Sequence, residues 1–396
     1  MKLSSLSLRL HALSVFRSLL DDPVIKALGL YLDTCREDGD DAKKIDSYAA
    51  FVSALYATGA ENIGAYVQNL VFDLENAYVR CVGRGEQPGA ALCDTVEAEL
   101  ETLQAVASLT PEMLTTDLAV YPRPLFEAGE VDIPAGYAAR VRDIHTLGYG
   151  MYAKYHMFYV EGGAITPVRH PDPVQLSDLI DYERERNIIL DNTRALLSGK
   201  PAANILLTGD AGTGKSSTVK AVANALYTQG LRILEVRKEQ LHGIPALLDE
   251  LSANPLKFIL FIDDLSFSGN DDDYSALKAI LEGSVSAKSS NVVIYATSNR
   301  RHLMRESFAD RDGDDIHRND TMQEILSLSE RFGIQLRFQR PDKETYLAIV
   351  THLAHAAGVT MDQEALALAA ERFALGRGGR SARAAKQFVD SLVAGE

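Results

Sequence analysis

Apolar residues recur at intervals of three and four from Leu3 to Leu103, the spacing that lines one face of an α-helix. Leu3, Leu6, Leu10, Leu13 and Phe16 make a first stripe. Ile63, Val67, Leu70, Leu74, Tyr78 and Cys81 make a second, and Leu92, Val96, Leu100 and Leu103 a third; Gly83 to Gly89 between the last two reads as a loop. Apolar faces need partners, so this stretch predicts a helical domain. From Val120 to Gly136 the periodicity stops, and Pro122, Pro124 and Pro134, which lack N–H donors, predict an extended linker. A short helix is predicted next, because Tyr149, Tyr152, Tyr155 and Phe158 recur every three residues. Such an aromatic stripe is more often a core or docking face than a platform for bases. A proline-containing turn, Thr166 to Pro173, leads into a helical region from Leu176 to Ser198.

Beyond Gly199 the pattern changes to alternating strands and helices. Strands are expected at Asn204 to Thr208, Arg232 to Val236, Phe258 to Ile262, Val292 to Ala296 and Gly333 to Phe338, with helices at Ser216 to Gly230, Gly243 to Leu251 and Tyr274 to Gly283. Alternation of this kind predicts a parallel sheet covered on both faces. After Pro341 the pattern is helical, predicting a small lid. The expected domains are therefore 1–147 (helical, with the linker), 148–340 (α/β) and 341–396 (lid).

The chain has 396 residues, 46% of them apolar, enough for two or three ordinary cores. No apolar run approaches the roughly 18 residues that span a bilayer, so no membrane role is expected. The first stripe is interrupted by Arg9, His11 and Arg17, which suits an amphipathic helix better than a signal peptide. Cys35, Cys81 and Cys93 follow no metal or redox spacing, which points to thiols in a reducing compartment, the cytoplasm. A net charge of −15 argues against binding a polyanion over the whole surface, although a local basic patch remains compatible with it. The acidic runs Asp271 to Asp273 and Asp310 to Asp315 lack the spacing of a calcium loop and read as solvated loops.

Chemistry concentrates in three places. Gly209-Asp210-Ala211-Gly212-Thr213-Gly214-Lys215-Ser216 follows a predicted strand and opens a predicted helix, the context in which glycines let backbone N–H groups surround phosphate oxygens. Lys215 is expected to reach the β- and γ-phosphates and Ser216 to place its hydroxyl on magnesium. Phe258 to Asp264 is a hydrophobic strand ending in two acids: Asp263 is expected to help hold Mg2+ and Asp264 to polarise the attacking water. Val292 to Asn299 is a third buried strand ending in polar residues, with Asn299 placed to orient water or the γ-phosphate.

These segments resemble the Walker A (Gly209 to Ser216), Walker B (Phe258 to Asp264), sensor 1 (Tyr295 to Arg301) and arginine-finger (Ser327 to Gly333) regions of AAA+ ATPases. The wording Gly212 to Ser217, Asp263 to Phe267 and Thr297 to Leu303 is similar to a domain-of-unknown-function family of predicted bacterial AAA+ ATPases, over roughly Gly148 to the C-terminus. The resemblance implies an α/β P-loop NTPase fold with a C-terminal helical lid, ATP and Mg2+ as ligands, and a phosphate loop extended through Ser217. It also implies Leu176 to Tyr182 against the adenine, Arg331 as a finger reaching a neighbouring subunit, and Arg383 as a lid arginine, with Arg380 competing for that role. Many AAA+ proteins carry Glu where this chain has Asp264; the carboxylate is one methylene shorter, so slow, switch-like turnover is open.

A finger acting in trans requires an oligomer. A head-to-tail interface generates a ring or ring-like arc, for which a hexamer is one candidate size. The leading expectation is a remodelling or assembly factor whose N-terminal helical domain recognises a protein partner. His242-Gly243 stands where a threading unfoldase would carry an aromatic-glycine loop, so processive unfolding is not expected. The alternatives are a nucleic-acid loader or initiator, suggested by Arg331-Phe332-Gly333, by Arg300 and Arg301 and more weakly by Gly376 to Arg380, or a nucleotide-state switch.

Overall fold

Two compact units divide the chain in the computed structural model: residues 1–154 with 253–255, and residues 155–252 with 256–396. The structure describes residues 3–37, 40–116, 123–267, 272–282, 290–299, 328 and 330–395. The run Asp310 to Asp315, Asp271, and Arg300 to Leu303 of the third motif lie outside them, as do Pro122 and parts of the finger region.

The first unit is helical. Helices Leu3–His11, Pro23–Arg36, Asp41–Ala57, Ile63–Asp73 and Ala90–Ala107 bury Leu6, Leu10, Leu28, Tyr31, Phe51, Val67 and Leu103 in one core. The stripe from Ile63 to Cys81 is not one helix. Leu74 leaves helical geometry with ψ 132°, and Asn76 caps a second helix, Ala77–Gly83, by accepting from Val79 N at 3.0 Å. An amide side chain suited to satisfying orphan N–H groups therefore interrupts an apolar period that would otherwise run through. The expected linker is also partly structured. Phe126 is buried edge-on against Phe51, and Pro124 O accepts from Tyr48. Helix Ile133–Arg142 starts inside the proline-rich stretch, with Asp132 as its cap and Pro134 in the first turn, where its missing N–H costs no hydrogen bond.

The second unit holds a seven-stranded sheet: β1 Met157–Glu161, β2 Ala164–Pro167, β3 Ile205–Gly209, β4 Leu231–Val236, β5 Lys257–Ile262, β6 Val292–Ser298 and β7 Ile334–Phe338, in the order β2-β1-β4-β5-β6-β3-β7. Every pairing is parallel except β1 with β2. Phe258 to Ile262 are wholly buried, as a central strand covered on both faces requires. The expected aromatic helix fails here. Tyr152 is on the short helix Met151–Lys154, but Phe158 lies in β1, a strand that turns back into β2 through Gly162 and Gly163. Both glycines have positive φ, 58° and 85°, the geometry of a two-residue hairpin loop.

Helix Glu183–Leu197 precedes β3, and helices Lys215–Leu226 and Ile244–Ser252 connect β3, β4 and β5. After β7, helices Lys343–Ala356, Gln363–Gly376 and Ala382–Ala394 pack Tyr346, Val350, Ala370, Phe388 and Val389 into a separate small core. The result is the α/β parallel sheet with a C-terminal helical lid and an N-terminal helical unit that the sequence implied. No described helix is long and apolar enough to cross a membrane.

Glu99 anchors the helical unit's N-terminal turn. Its carboxylate, nine-tenths buried, accepts from the Ser14 hydroxyl (2.6 Å) and from the backbone N–H groups of Ser14, Val15 and Phe16 at 2.7 to 3.2 Å. Removing it strands these donors at once, the Phe16 N–H in a buried position, so Glu99→Ala is expected to destabilise the unit by about 2–4 kcal/mol. Hydrogen exchange should locate the loss first at the amides of residues 14–16, and unchanged protection there would refute the anchor.

Candidate functional site

Each of the three motifs ends at the carboxyl edge of the sheet, where open α/β sheets bind ligands. β3 ends at Gly209 (φ 145°), where a Cβ would overlap the Phe338 carbonyl of neighbouring β7, so no other residue fits. Gly212 and Gly214 also have positive φ, 79° and 91°, and bend the loop back so that helix Lys215–Leu226 begins directly after it. Thr213 Oγ1 braces the bend by donating to Asp210 O at 2.9 Å. Asp210 and Ala211 are exposed at the loop tip, and Ser217 follows in the first helical turn.

Lys215 is nearly buried, and its ammonium donates to Gly209 O (2.9 Å), Asp210 O (2.8 Å) and Asn299 Oδ1 (3.0 Å). Burial pushes this ammonium below the usual lysine range, opposed by the carboxylates of Asp263, Asp210 and Asp264. Asn299 in turn donates through Nδ2 to Asp264 Oδ1 at 2.6 Å, joining the loop lysine to the second acid of β5. A parallel chain joins the first acid: Ser216 Oγ (2.6 Å) and Thr297 Oγ1 (2.5 Å) both donate to Asp263 Oδ1. Thr297 Oγ1 also accepts from Asp264 N at 2.9 Å, which holds Asp264 in a left-handed conformation (φ 54°) that few non-glycine residues adopt. The expected residues Lys215, Ser216, Asp263, Asp264 and Asn299 therefore meet in one hydrogen-bonded network. A cleft of about 420 Å³ opens beside the two acids, lined also by Glu235, Arg237, Lys238 and Phe267.

The donor set suits Mg2+. A hydroxyl and a carboxylate oxygen are hard ligands, and two protein oxygens fit an ion that keeps several waters and takes the rest of its shell from phosphates. Among the described residues no group of three or more His, Cys, Asp and Glu forms a protein-only metal cage.

The arginines divide. Arg383 sits on the first turn of helix Ala382–Ala394, its backbone N–H reaching Gly212 O at 3.4 Å. Arg380 is bound to Glu371 by two hydrogen bonds, 2.9 and 2.7 Å, within the lid. Arg331 lies outside the network; its guanidinium pairs with Glu282 at 2.6 Å, at the end of helix Asp272–Glu282. Tyr182, in the segment expected against adenine, is itself left-handed (φ 58°), lies over Phe338 with ring centroids 4.7 Å apart, and donates to Gln339 O. Two residues escape sequence reasoning. Thr297 was visible only as part of a motif, and Arg340, which pairs with Asp210, carries no motif signal because the β3–β7 pairing brings it there.

The strand order places the loop strand β3 between β6 and β7, with β5 on the far side of β6, and this sheet with its lid has the α/β arrangement that the resemblance to AAA+ ATPases implied. Solved structures similar to the chain include the Holliday junction branch migration motor RuvB of Thermotoga maritima (18% identity, TM-score 0.37, 56% of this chain and 64% of that one). Others are the AAA domain of FIGL-1 in complex with ADP (18%, 0.37, 57% and 74%) and a HORMA:CdnC:Trip13 complex of E. coli MS115-1 (14%, 0.38, 56% and 93%). The chain thus spans 64% of the branch migration motor. No curated protein matches. The family model described as "Protein of unknown function (DUF815)" matches residues 152–396, well over half the sequence, and the chain belongs to that family.

Proposed function

We propose that the chain binds ATP with Mg2+ at Gly209 to Ser217 and hydrolyses it, as an oligomeric AAA+ factor that remodels or assembles a protein partner. The observation that carries the hydrolysis reading is the pair of hydrogen-bonded chains Lys215–Asn299–Asp264 and Ser216–Asp263–Thr297. Loop N–H groups and Lys215 bind the triphosphate, and the lysine exchanges backbone carbonyls for phosphate oxygens. Ser216 and Asp263 would hold Mg2+, which would supply neutralisation of the phosphate charge. Asp264 accepts the proton of the attacking water, and Asn299, touching both Lys215 and Asp264, keeps that water in line with the γ-phosphate. Arg331, released from Glu282, reaches the γ-phosphate of an adjacent subunit in a ring or arc, and Arg383 meets the nucleotide from the lid of its own subunit. The helical unit of residues 1–154 is the element left to recognise a protein.

A slow nucleotide switch is the second reading. The Asn299 amide occupies one oxygen of an already short Asp264 side chain, which favours retention of ATP over fast turnover. A measured turnover that no protein partner accelerates would select it.

Three results are expected. Asparagine tolerates left-handed geometry, so Asp264→Asn keeps its backbone, binds ATP normally and hydrolyses it about 100-fold more slowly, whereas Lys215→Ala loses binding. Equal hydrolysis by Asp264→Asn and wild type refutes the base assignment. Thr297→Val preserves shape but removes both hydrogen bonds to the acids, so kcat should drop about tenfold with KM changed less than threefold; a change confined to KM would place Thr297 in binding alone. Mixing Arg331→Ala with Lys215→Ala subunits should recover part of the ATPase rate, because intact loops then face intact fingers, and no recovery in proven mixed oligomers would exclude action in trans.

A further inference from the structure

Asp210 puts a negative charge at the tip of a loop expected to hold a polyphosphate, and its field reaches the Lys215 ammonium and the Tyr182 hydroxyl. A carboxylate so placed opposes a triphosphate through Coulomb repulsion. Arg340, two residues beyond β7, stands against it: its Nε lies 3.3 Å from Asp210 Oδ2, and its terminal nitrogen donates to Gly378 O in the lid loop at 3.3 Å. Gly379, beside that carbonyl at φ 122°, is close enough that a Cβ would sit 3.1 Å from the same guanidinium. Phe338 fixes this approach by lying against Gly209, so β7 delivers Arg340 to the loop tip.

We propose that Arg340 is a positioning residue for nucleotide binding: it neutralises Asp210 at the phosphate loop and holds the lid loop at Gly378 beside it. The proposal rests on the nucleotide-binding reading of Gly209 to Ser217. Both partners are about half exposed, so the pair adds little to folding, and its effect is to be read in affinity. Lys215 meets Asp210 through its backbone carbonyl, and neither Lys215 nor Arg383 makes a side-chain ion pair with Asp210 among the described residues.

The test is equilibrium binding of Mg-ATP to the full chain, with Lys215→Ala as the control for the site. Arg340→Ala should weaken binding about tenfold at low salt, less as ionic strength rises. Asp210→Asn alone should bind at least as well as wild type, and adding it to Arg340→Ala should restore most of the affinity, which loss of a merely structural contact would not do. Arg340→Lys should retain most binding. Wild-type affinity in Arg340→Ala, or a double variant no better than Arg340→Ala, overturns the proposal while leaving the site intact. Failure of the wild type to bind, or equal binding by Lys215→Ala, overturns the site reading and this proposal with it.

Discussion

One oxygen atom, Asp263 Oδ1, accepts hydroxyl hydrogen bonds from both Ser216 and Thr297, and the arrangement of the site depends on it. The reason lies in the sheet. β6 separates β3 from β5, so the helix opened by the phosphate loop and the acids ending β5 reach one another only past the end of β6. Thr297 and Asn299, the polar residues at that end, are therefore the couplers: one ties Asp263 and the Asp264 backbone, the other ties Asp264 to Lys215. An apolar residue at Thr297 would leave Asp263 joined to the loop through Ser216 alone, and one at Asn299 would cut Lys215 from Asp264.

Rigidity of this kind needs a foundation that does not move. Ile205 to Leu207, Phe258 to Ile262 and Tyr295 to Ser298 are buried almost completely, and parallel pairing on both sides fixes their register: Leu207 opposite Thr297 and Leu336, Ile262 opposite Ala296. Tyr295 is also held by its hydroxyl, bonded to Thr193 and Asn192 on helix Glu183–Leu197. The polar groups of the site stand where the strands run out. Their geometry is thus inherited from close-packed apolar layers.

What could be read in advance follows the same division. Loop spacing, buried runs and terminal acids are local properties, so the phosphate loop, β3 to β7 and the acids were legible. The hairpin of β1 and β2 was hidden because aromatic residues at intervals of three imitate a helix, and the signal that overrides them, the adjacent Gly162 and Gly163, is a turn cue that the stripe outweighed. The break at Asn76 was hidden because the apolar period continues across it, although an asparagine is itself a capping cue. The pairs Arg340–Asp210 and Arg331–Glu282 were beyond reach for a different reason: the partners are 130 and 49 positions apart and meet only through the strand order and the packing it permits.

Charge accounts for the remaining features. To take a triphosphate, as proposed, this acidic chain must overcome both its net −15 and the local carboxylates of Asp210, Asp263 and Asp264. Each has its own compensation. Asp263 is turned toward hydroxyl donors and stands where a divalent cation would convert repulsion into ligation. Asp264 is turned aside by its left-handed backbone and held by an amide. Asp210, exposed at the tip with no metal to serve, faces an arginine delivered by the strand next door. Lys215 alone could not balance three acids and a polyphosphate, because burial already works against its charge. On the proposed reading, Arg340 supplies that compensation at the loop tip, and its second bond, to Gly378 O, links the compensation to the lid loop.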